Sequence, residues 1–438
     1  MDLKTANTPG AFGSAVAYCA HCAYGLVLMV AACGNDAGPT GPAGGGAANA
    51  TAGTSGAPSM SGAAGSVSNV AGAGGSGGTT SDGGGGSTSA GNAGSAGAAG
   101  ATDVGNCTPP VDVFSPIVKL SKTGCVDPAH PTKPSAQAVT YEVNSPLWSD
   151  AADKTRAFVL PAGGKIHVRD CQANAADCPN GNADDGRWDF PVGSVMIKTF
   201  AFDDKLVETR LFMRVDASDW VGYSYQWDEA QTEATLVSSD GAQAMFNTGT
   251  RTVSWHFPSQ KDCLNCHNTA GGSTLGPETA QMNRMVGGTN QIDKMTALFE
   301  APPAKPYKAA LVAPYPSQAG TPPGTATTEQ KARSYLHANC GFCHRPGGNY
   351  ANFDFRYDTP YSDMKLCNVT AQKGAIANAP GKTMILVPGK ETDSVMWLRM
   401  NEADPEKGRM PQIGSWVADA DGTAVVGDWI KSLPATCP

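Results

Sequence analysis

The sequence predicts a multidomain protein: an N-terminal all-β sandwich-like domain over residues 106–250, then a mainly α region over 251–438. Two observations predict the halves. Short runs with period-two alternation and turn signals between them fill the first. Helical spacing appears in the second, beside two copies of one cysteine-histidine motif. A third observation sets both apart from what precedes them: residues 34–105 are almost entirely Gly, Ala, Ser and Thr.

Residues 1–33 read as an export signal of the lipoprotein type. The apolar run Ala23–Ala32 is too short for a membrane span and suits a signal core. Val30-Ala31-Ala32-Cys33 looks like a bacterial lipobox, which makes Cys33 the expected lipid anchor. Lys4 is the one basic residue ahead of the run, and Asp2 offsets it. Residues 34–105 cannot bury enough apolar surface to fold. They are expected to act as a flexible linker with an r.m.s. span of about 45 Å.

In residues 106–250 the strand candidates are Val139–Val143, Lys165–Arg169, Val195–Phe200, Leu206–Arg214 and Trp220–Trp227. Alternation gives each an apolar face, and Lys198, Glu208, Arg210 and Arg214 are expected to be mostly solvated, some as cross-strand pairs. Asp177–Gly186 offers oxygen ligands that could suit Ca²⁺, but its spacing misses the EF-hand pattern, so a polar loop is the simpler reading.

The second half carries the chemistry. Cys263-Leu264-Asn265-Cys266-His267 and Cys340-Gly341-Phe342-Cys343-His344 are both C-x-x-C-H, the attachment signature of a c-type haem. Thiols three positions apart on a helical turn can each form a thioether to a haem vinyl group. The following histidine then meets the iron. With 13 cysteines and 7 histidines in 438 residues, two chance copies are improbable. A structural zinc site is the alternative use of paired C-x-x-C, and it leaves both histidines unexplained. Glu329–Leu336 leads helically into Cys340, and Val425, Val426, Trp429, Ile430 and Leu433 share a helical face. Helices opening and closing a haem module make the expected region dihaem and cytochrome c-like, built as two abbreviated modules.

Low-spin haem needs a sixth ligand. Met410, in Gly408-Arg409-Met410-Pro411 ahead of the last helix, is the candidate for the second haem, with Met396 and Met400 as competitors. For the first haem Met282, Met285, Met295, His256 and His337 all stay open. Three further cysteines, Cys19, Cys22 and Cys33, fall in the leader. The remaining six (Cys107, Cys125, Cys171, Cys178, Cys367 and Cys437) are an even set in an exported chain and are expected to form disulfides. Proximity pairs the first four as Cys107–Cys125 and Cys171–Cys178, and elimination leaves Cys367–Cys437.

The stretches YEVNSPLWSDAADKTRAFVLP, ETRLFMR, GYSYQWDEAQTEATLV, FPSQKDCLNCHNTAGGSTLGPETAQMNR, YLHANCGFCHRPGG and GRMPQIGS together resemble a family of bacterial envelope dihaem c-type cytochromes. The likeness covers roughly residues 108–438. It implies haem attachment at Cys263, Cys266, Cys340 and Cys343, iron ligation by His267 and His344, and Met410 at the family's Met-Pro position. Members often occur beside, or fused to, a parallel β-helix repeat protein, which makes such a protein an implied partner along with envelope redox donors and acceptors. The expectation is therefore an electron carrier in the periplasm or on the outer membrane, with a haem-dependent oxidoreductase as the alternative and a surface adhesion lipoprotein as a weaker third. A net charge of −8 and a pI near 5.4 argue against nucleic acid as a partner.

Overall fold

A six-stranded antiparallel sheet forms the scaffold on which both motifs are mounted. In the computed structural model, residues 105–438 are described except 180–184, 315–325, 351, 373–375 and 377. The expected signal, Cys33 and all but the end of the expected linker lie outside the described residues, which belong to one unit, Gly94–Pro438.

The chain enters through a ribbon of β1 (Val126–Asp127) and β2 (His130–Pro134). The sheet contains β3 (Val139–Thr140), β4 (Asp153–Val159), β7 (Val195–Phe202), β8 (Lys205–Arg214), β9 (Trp220–Trp227) and β10 (Ala234–Leu236), in the order β10-β9-β8-β7-β4-β3. Between β4 and β7, β5 (His167–Val168) pairs with β6 (Trp188–Asp189). A hairpin of β11 (Ala242–Asn247) and β12 (Thr252–Phe257) follows the sheet and straddles position 250. Beyond it come α1 (Gln260–Cys266), α2 (Thr279–Met282), the ribbon β13 (Met285–Val286) and β14 (Thr289–Asn290), α3 (Gln291–Lys294), α4 (Thr328–Asn339), α5 (Val395–Asn401) and α6 (Ala420–Ser432).

Period-two alternation gives the sheet two apolar faces. On one, Val195, Ile197, Leu211, Met213, Tyr223 and Tyr225 pack under Leu120 and the Cys107–Cys125 disulfide. On the other, Phe158, Met196 and Phe212 pack against Trp188 and Phe190, and also against Met282, Ile292 and Phe299 from beyond position 250. Further along that face Phe200 and Phe202 meet Trp255 and Phe257 of the hairpin. One core therefore draws on both sides of position 250.

This arrangement corrects the expected fold class. The β part is one six-stranded sheet with two-stranded ribbons, covered by a hairpin, loops and short helices, where a two-sheet sandwich was expected. The region after 250 is not a mainly α, cytochrome c-like region. Among the described residues there, only α4 and α6, of 12 and 13 residues, exceed seven residues. Pro302, Pro303 and Pro306 interrupt the chain before α4, and the Pro346-Gly347-Gly348 turn interrupts it after α4. The first motif leans on the sheet, which supplies the wall that helices would supply in an all-α module.

α4 and α6 do pack on each other. Gly422 of α6 lies against Tyr335 of α4 so closely that a Cβ there would fall 2.1 Å from the ring. Leu336, Leu386, Val426, Trp429 and Ile430 form the core between α4, α6 and the intervening chain. The three disulfides are Cys107–Cys125, Cys171–Cys178 and Cys367–Cys437, the pairing that proximity and elimination give. The four motif cysteines are unpaired. No helix among the described residues is long and apolar enough to cross a membrane.

Candidate functional site

The first motif is carried on α1. Its N-terminus is a capping box: the Ser259 hydroxyl accepts from the Asp262 N–H, and the Asp262 carboxylate accepts from the Ser259 N–H at 3.2 Å. This fixes the direction of a seven-residue helix that contains both cysteines. The helix lies over β9 at Gly222, where a Cβ would sit 2.8 Å from the Cys263 Sγ. Glycine at that strand position makes room for the thiol. His267 follows the helix and lies over Phe212, ring centroids 4.1 Å apart, while Phe212 stacks on Trp220.

The second motif starts where α4 ends. Thr327 and Gln330 form the capping box at its start, and Cys340 is the C-cap residue. The segment before β4 anchors this end: the Trp148 N–H donates to Asn339 at 2.7 Å, and the Ser145 hydroxyl to the Ser334 carbonyl at 2.9 Å. His344 stacks on Phe353 at 4.4 Å, with Phe355 edge-on.

The two histidines are wired alike. Nδ1 of His267 lies 2.5 Å from the Ser273 carbonyl oxygen, and Nδ1 of His344 lies 3.2 Å from the Tyr350 carbonyl oxygen, each six residues downstream. A carbonyl accepts, so Nδ1 carries the proton and Nε2 presents its lone pair. That tautomer and that outer partner characterise a metal-ligating histidine. Among the described residues neither Nε2 makes a hydrogen bond. Burial, then the neighbouring Lys198, holds the His267 ring well below its usual range; burial lowers His344 to about 4. Both rings are thus neutral near pH 7, as a ligand must be.

Burial raises all four motif thiols, Cys266 and Cys340 to about 12 and Cys343 to about 11. Among the described residues no three His, Cys, Asp or Glu side chains converge to hold a metal ion. The C-x-x-C pairs therefore do not combine into a tetrahedral zinc centre. Two thiols beside one neutral imidazole, repeated twice, fit the attachment half of a c-type haem.

The motifs abut. The Asn268 side-chain amide donates to the Phe342 carbonyl at 3.3 Å, and that of Asn349 to the Asn265 carbonyl at 3.2 Å. The buried Arg345 donates to the Ala270 carbonyl at 3.2 Å and also to Gly341, tying the loop after one motif to the other. The Cys343 thiol lies 3.8 Å from the Asn265 carbonyl oxygen, inside the first motif.

A cavity opens in front of the first motif. Cys263, Cys266 and His267 form one wall and the sheet face forms another. Sequence reasoning missed this second wall. Lys198, Glu208 and Arg210, expected to be mostly solvated, point inward, and Glu208 is fully buried. The signal was available: Lys198 has the same parity as the buried Met196 and Phe200.

The ligand candidates are scattered. Met410 is half-buried, its N–H bonded to the Arg399 carbonyl at 2.9 Å, and two residues of its loop, Ile413 and Gly414, line the first-motif cavity. Met282 and Met295 belong to the apolar core, Met396 and Met400 to the core around α4 and α6, and Met285 is exposed. His337 lines the cavity, but Nε2 pairs with Glu278 at 2.7 Å and Nδ1 accepts from the Tyr357 N–H. His256 stacks on Trp416 at 4.0 Å, with Nδ1 buried and without a hydrogen bond. In the Asp177–Gly186 loop, Asp177 pairs with His167 and Asp185 faces Lys308, while residues 180–184 lie outside the described set.

No protein-family model, curated protein or solved structure matches the chain.

Proposed function

We propose that the protein carries two covalent c-type haems, on Cys263, Cys266 and His267 and on Cys340, Cys343 and His344, and relays electrons between redox partners of the bacterial envelope. The observation that carries this reading is the matched wiring of the two histidines: each follows a C-x-x-C pair and has Nδ1 on a carbonyl six residues on. When bound, each haem supplies an iron that takes up and gives back one electron. The protein orients both imidazoles, keeps them neutral, and holds the two attachment sites in direct contact through Asn268, Asn349 and Arg345. Such contact suits transfer from one site to the other.

Compartment and partners belong to the same proposal. The disulfides suit an oxidising space. Lipid attachment at Cys33, a long linker, and donor, acceptor or β-helix partners follow from the sequence and its resemblance to envelope dihaem cytochromes. Met410 is proposed as the sixth ligand of the second haem. An optical redox titration is expected to resolve two reversible haem transitions, and Met410→Ala to turn one haem high-spin. A protein whose haems show no reversible transition contradicts the carrier reading.

One observation favours a second reading, a haem-dependent oxidoreductase reacting at the first site. Met282 and Met295 are withdrawn into the core, Met285 is exposed and both His337 nitrogens are engaged, which leaves His256, stacked on Trp416, among the first-haem candidates. A high-spin resting signal from one haem in the unaltered protein supports this reading; two low-spin haems oppose it.

A further inference from the structure

The sheet wall of the first-motif cavity carries four basic side chains and, among the described residues, one ion pair, Arg210 with Glu208. Arg156 of β4 stands directly opposite Lys198 of β7, and Lys198 directly opposite Arg210 of β8. Lys154 lies two residues before Arg156, on the same face, and all four side chains line the cavity. Like charges directly opposite on adjacent strands destabilise a sheet. Withdrawing them from water adds a cost unless each finds a counter-charge.

Among the described residues, Arg210 alone of the four has an ion-pair partner. Glu208 accepts two hydrogen bonds from it at 2.8 Å, and a third from Trp255 at 2.9 Å. Lys198 reaches the Leu275 carbonyl at 3.3 Å, and Arg156 the Lys154 carbonyl at 3.3 Å. Lys154 donates to the Leu147 carbonyl and to the Ser149 hydroxyl. The nearby carboxylates are taken: Glu142 pairs with Arg284 at 2.6 Å, Glu278 with His337 at 2.7 Å, Asp262 caps α1, and Asp150 accepts from the Trp416 and Val417 N–H groups. Among the described residues, Lys154, Arg156 and Lys198 therefore face one cavity with only neutral oxygens as hydrogen-bond acceptors, and burial pushes both lysines down.

We propose that the Arg156–Lys198–Arg210 row is a docking site for carboxylate groups in front of the first C-x-x-C-H motif. The row is read from the sheet alone; which carboxylate fills it rests on the haem reading. The two sources are the propionates of a haem attached at Cys263 and Cys266, and a free small carboxylate that enters the cavity as ligand or substrate. In either case Lys198, at the centre of the row, makes the largest contribution.

The test uses the haem-loaded protein, with haem counted first, in the unaltered form and as Lys198→Met, Arg156→Leu and Lys198→Arg. Each is titrated with sodium acetate against sodium chloride at constant ionic strength, following haem absorption and the thermal midpoint. Each haem's reduction potential is measured against pH. For a free carboxylate, acetate gives a saturable shift that weakens at least tenfold in Lys198→Met and Arg156→Leu and survives in Lys198→Arg. For propionates, acetate has no effect, and the two charge-removing variants lower the potential of one haem and steepen its pH dependence, leaving the other haem unchanged. Variants that match the unaltered protein in both acetate response and both potentials overturn the proposal. A haem count of zero instead overturns the functional reading, and the acetate shift in thermal midpoint still decides whether the row binds carboxylate.

Discussion

At the scale of single residues, the site depends on where side chains are small, neutral or absent. Gly222 is the sharpest case. Any side chain there starts 2.8 Å from the Cys263 Sγ, and the sulfur sits on a helix fixed by its capping box. Gly222→Val is expected to cost about 1–3 kcal/mol through overpacking and to displace the first attachment site. A pyridine haemochrome assay of the variant should fall toward one haem per chain, with a lower urea midpoint. Two haems and an unchanged midpoint would contradict the placement of α1 over β9. The motif residues themselves were legible in the sequence, because their spacing carries the chemistry. The carbonyls of Ser273 and Tyr350 were not, since a backbone acceptor leaves no mark on residue type. Nor was the Arg156–Lys198–Arg210 row, because polar residues at alternate strand positions look solvated until something is seen to cover that face.

At the scale of elements, the second motif's helix is tied to the rest by a buried hydrogen bond from an imidazole to a carboxylate. His337 of α4 and Glu278, the N-cap of α2, meet at 2.7 Å. Burial works to raise the Glu278 carboxyl, and His337, Arg345 and Lys308 outweigh it, holding it down to about 2 from an ordinary 4.5. A carboxyl depressed in the folded state contributes stability above its unfolded pKa and loses it as pH falls through the folded one. The protein's advantage over Glu278→Gln should therefore be full above about pH 4.5, on the order of 3 kcal/mol, and vanish toward pH 2. Urea midpoints measured across that range check it; a difference independent of pH would contradict the assignment. The helices α4 and α6 were legible from the spacing of Glu329–Leu336 and of Val425–Leu433; α6 buries Val426, Trp429 and Ile430, and α4 buries Ala332, Tyr335 and Leu336 together with Arg333, Ser334 and Asn339. The expectation of more helix around them failed. Helical cysteine motifs do not require a helical surround, and proline and glycine between them hold the chain in turns.

At the scale of the whole molecule, one sheet, one hairpin and two crossing helices bring two attachment motifs into contact. Period-two patterning expects strands at Val195–Phe200, Leu206–Arg214 and Trp220–Trp227, and the structure has them at Val195–Phe202, Lys205–Arg214 and Trp220–Trp227. It could not say what covers each face, which is why a second sheet was expected where Trp188, Met282 and Phe299 pack instead. Division into a β domain and a haem region rested on the change of sequence character near position 250. The folded core draws Phe158 and Met196 from one side of that point and Ile292 and Phe299 from the other. Contact between the motifs gives the functional reading its physical content, since two haems held side by side can act as one relay. The most direct test is a pyridine haemochrome count on denatured protein expressed with the haem-attachment machinery. The result predicted is two covalent haems per chain, falling to one in Cys263→Ser/Cys266→Ser and to one in Cys340→Ser/Cys343→Ser. A count of zero in the unaltered protein would contradict it.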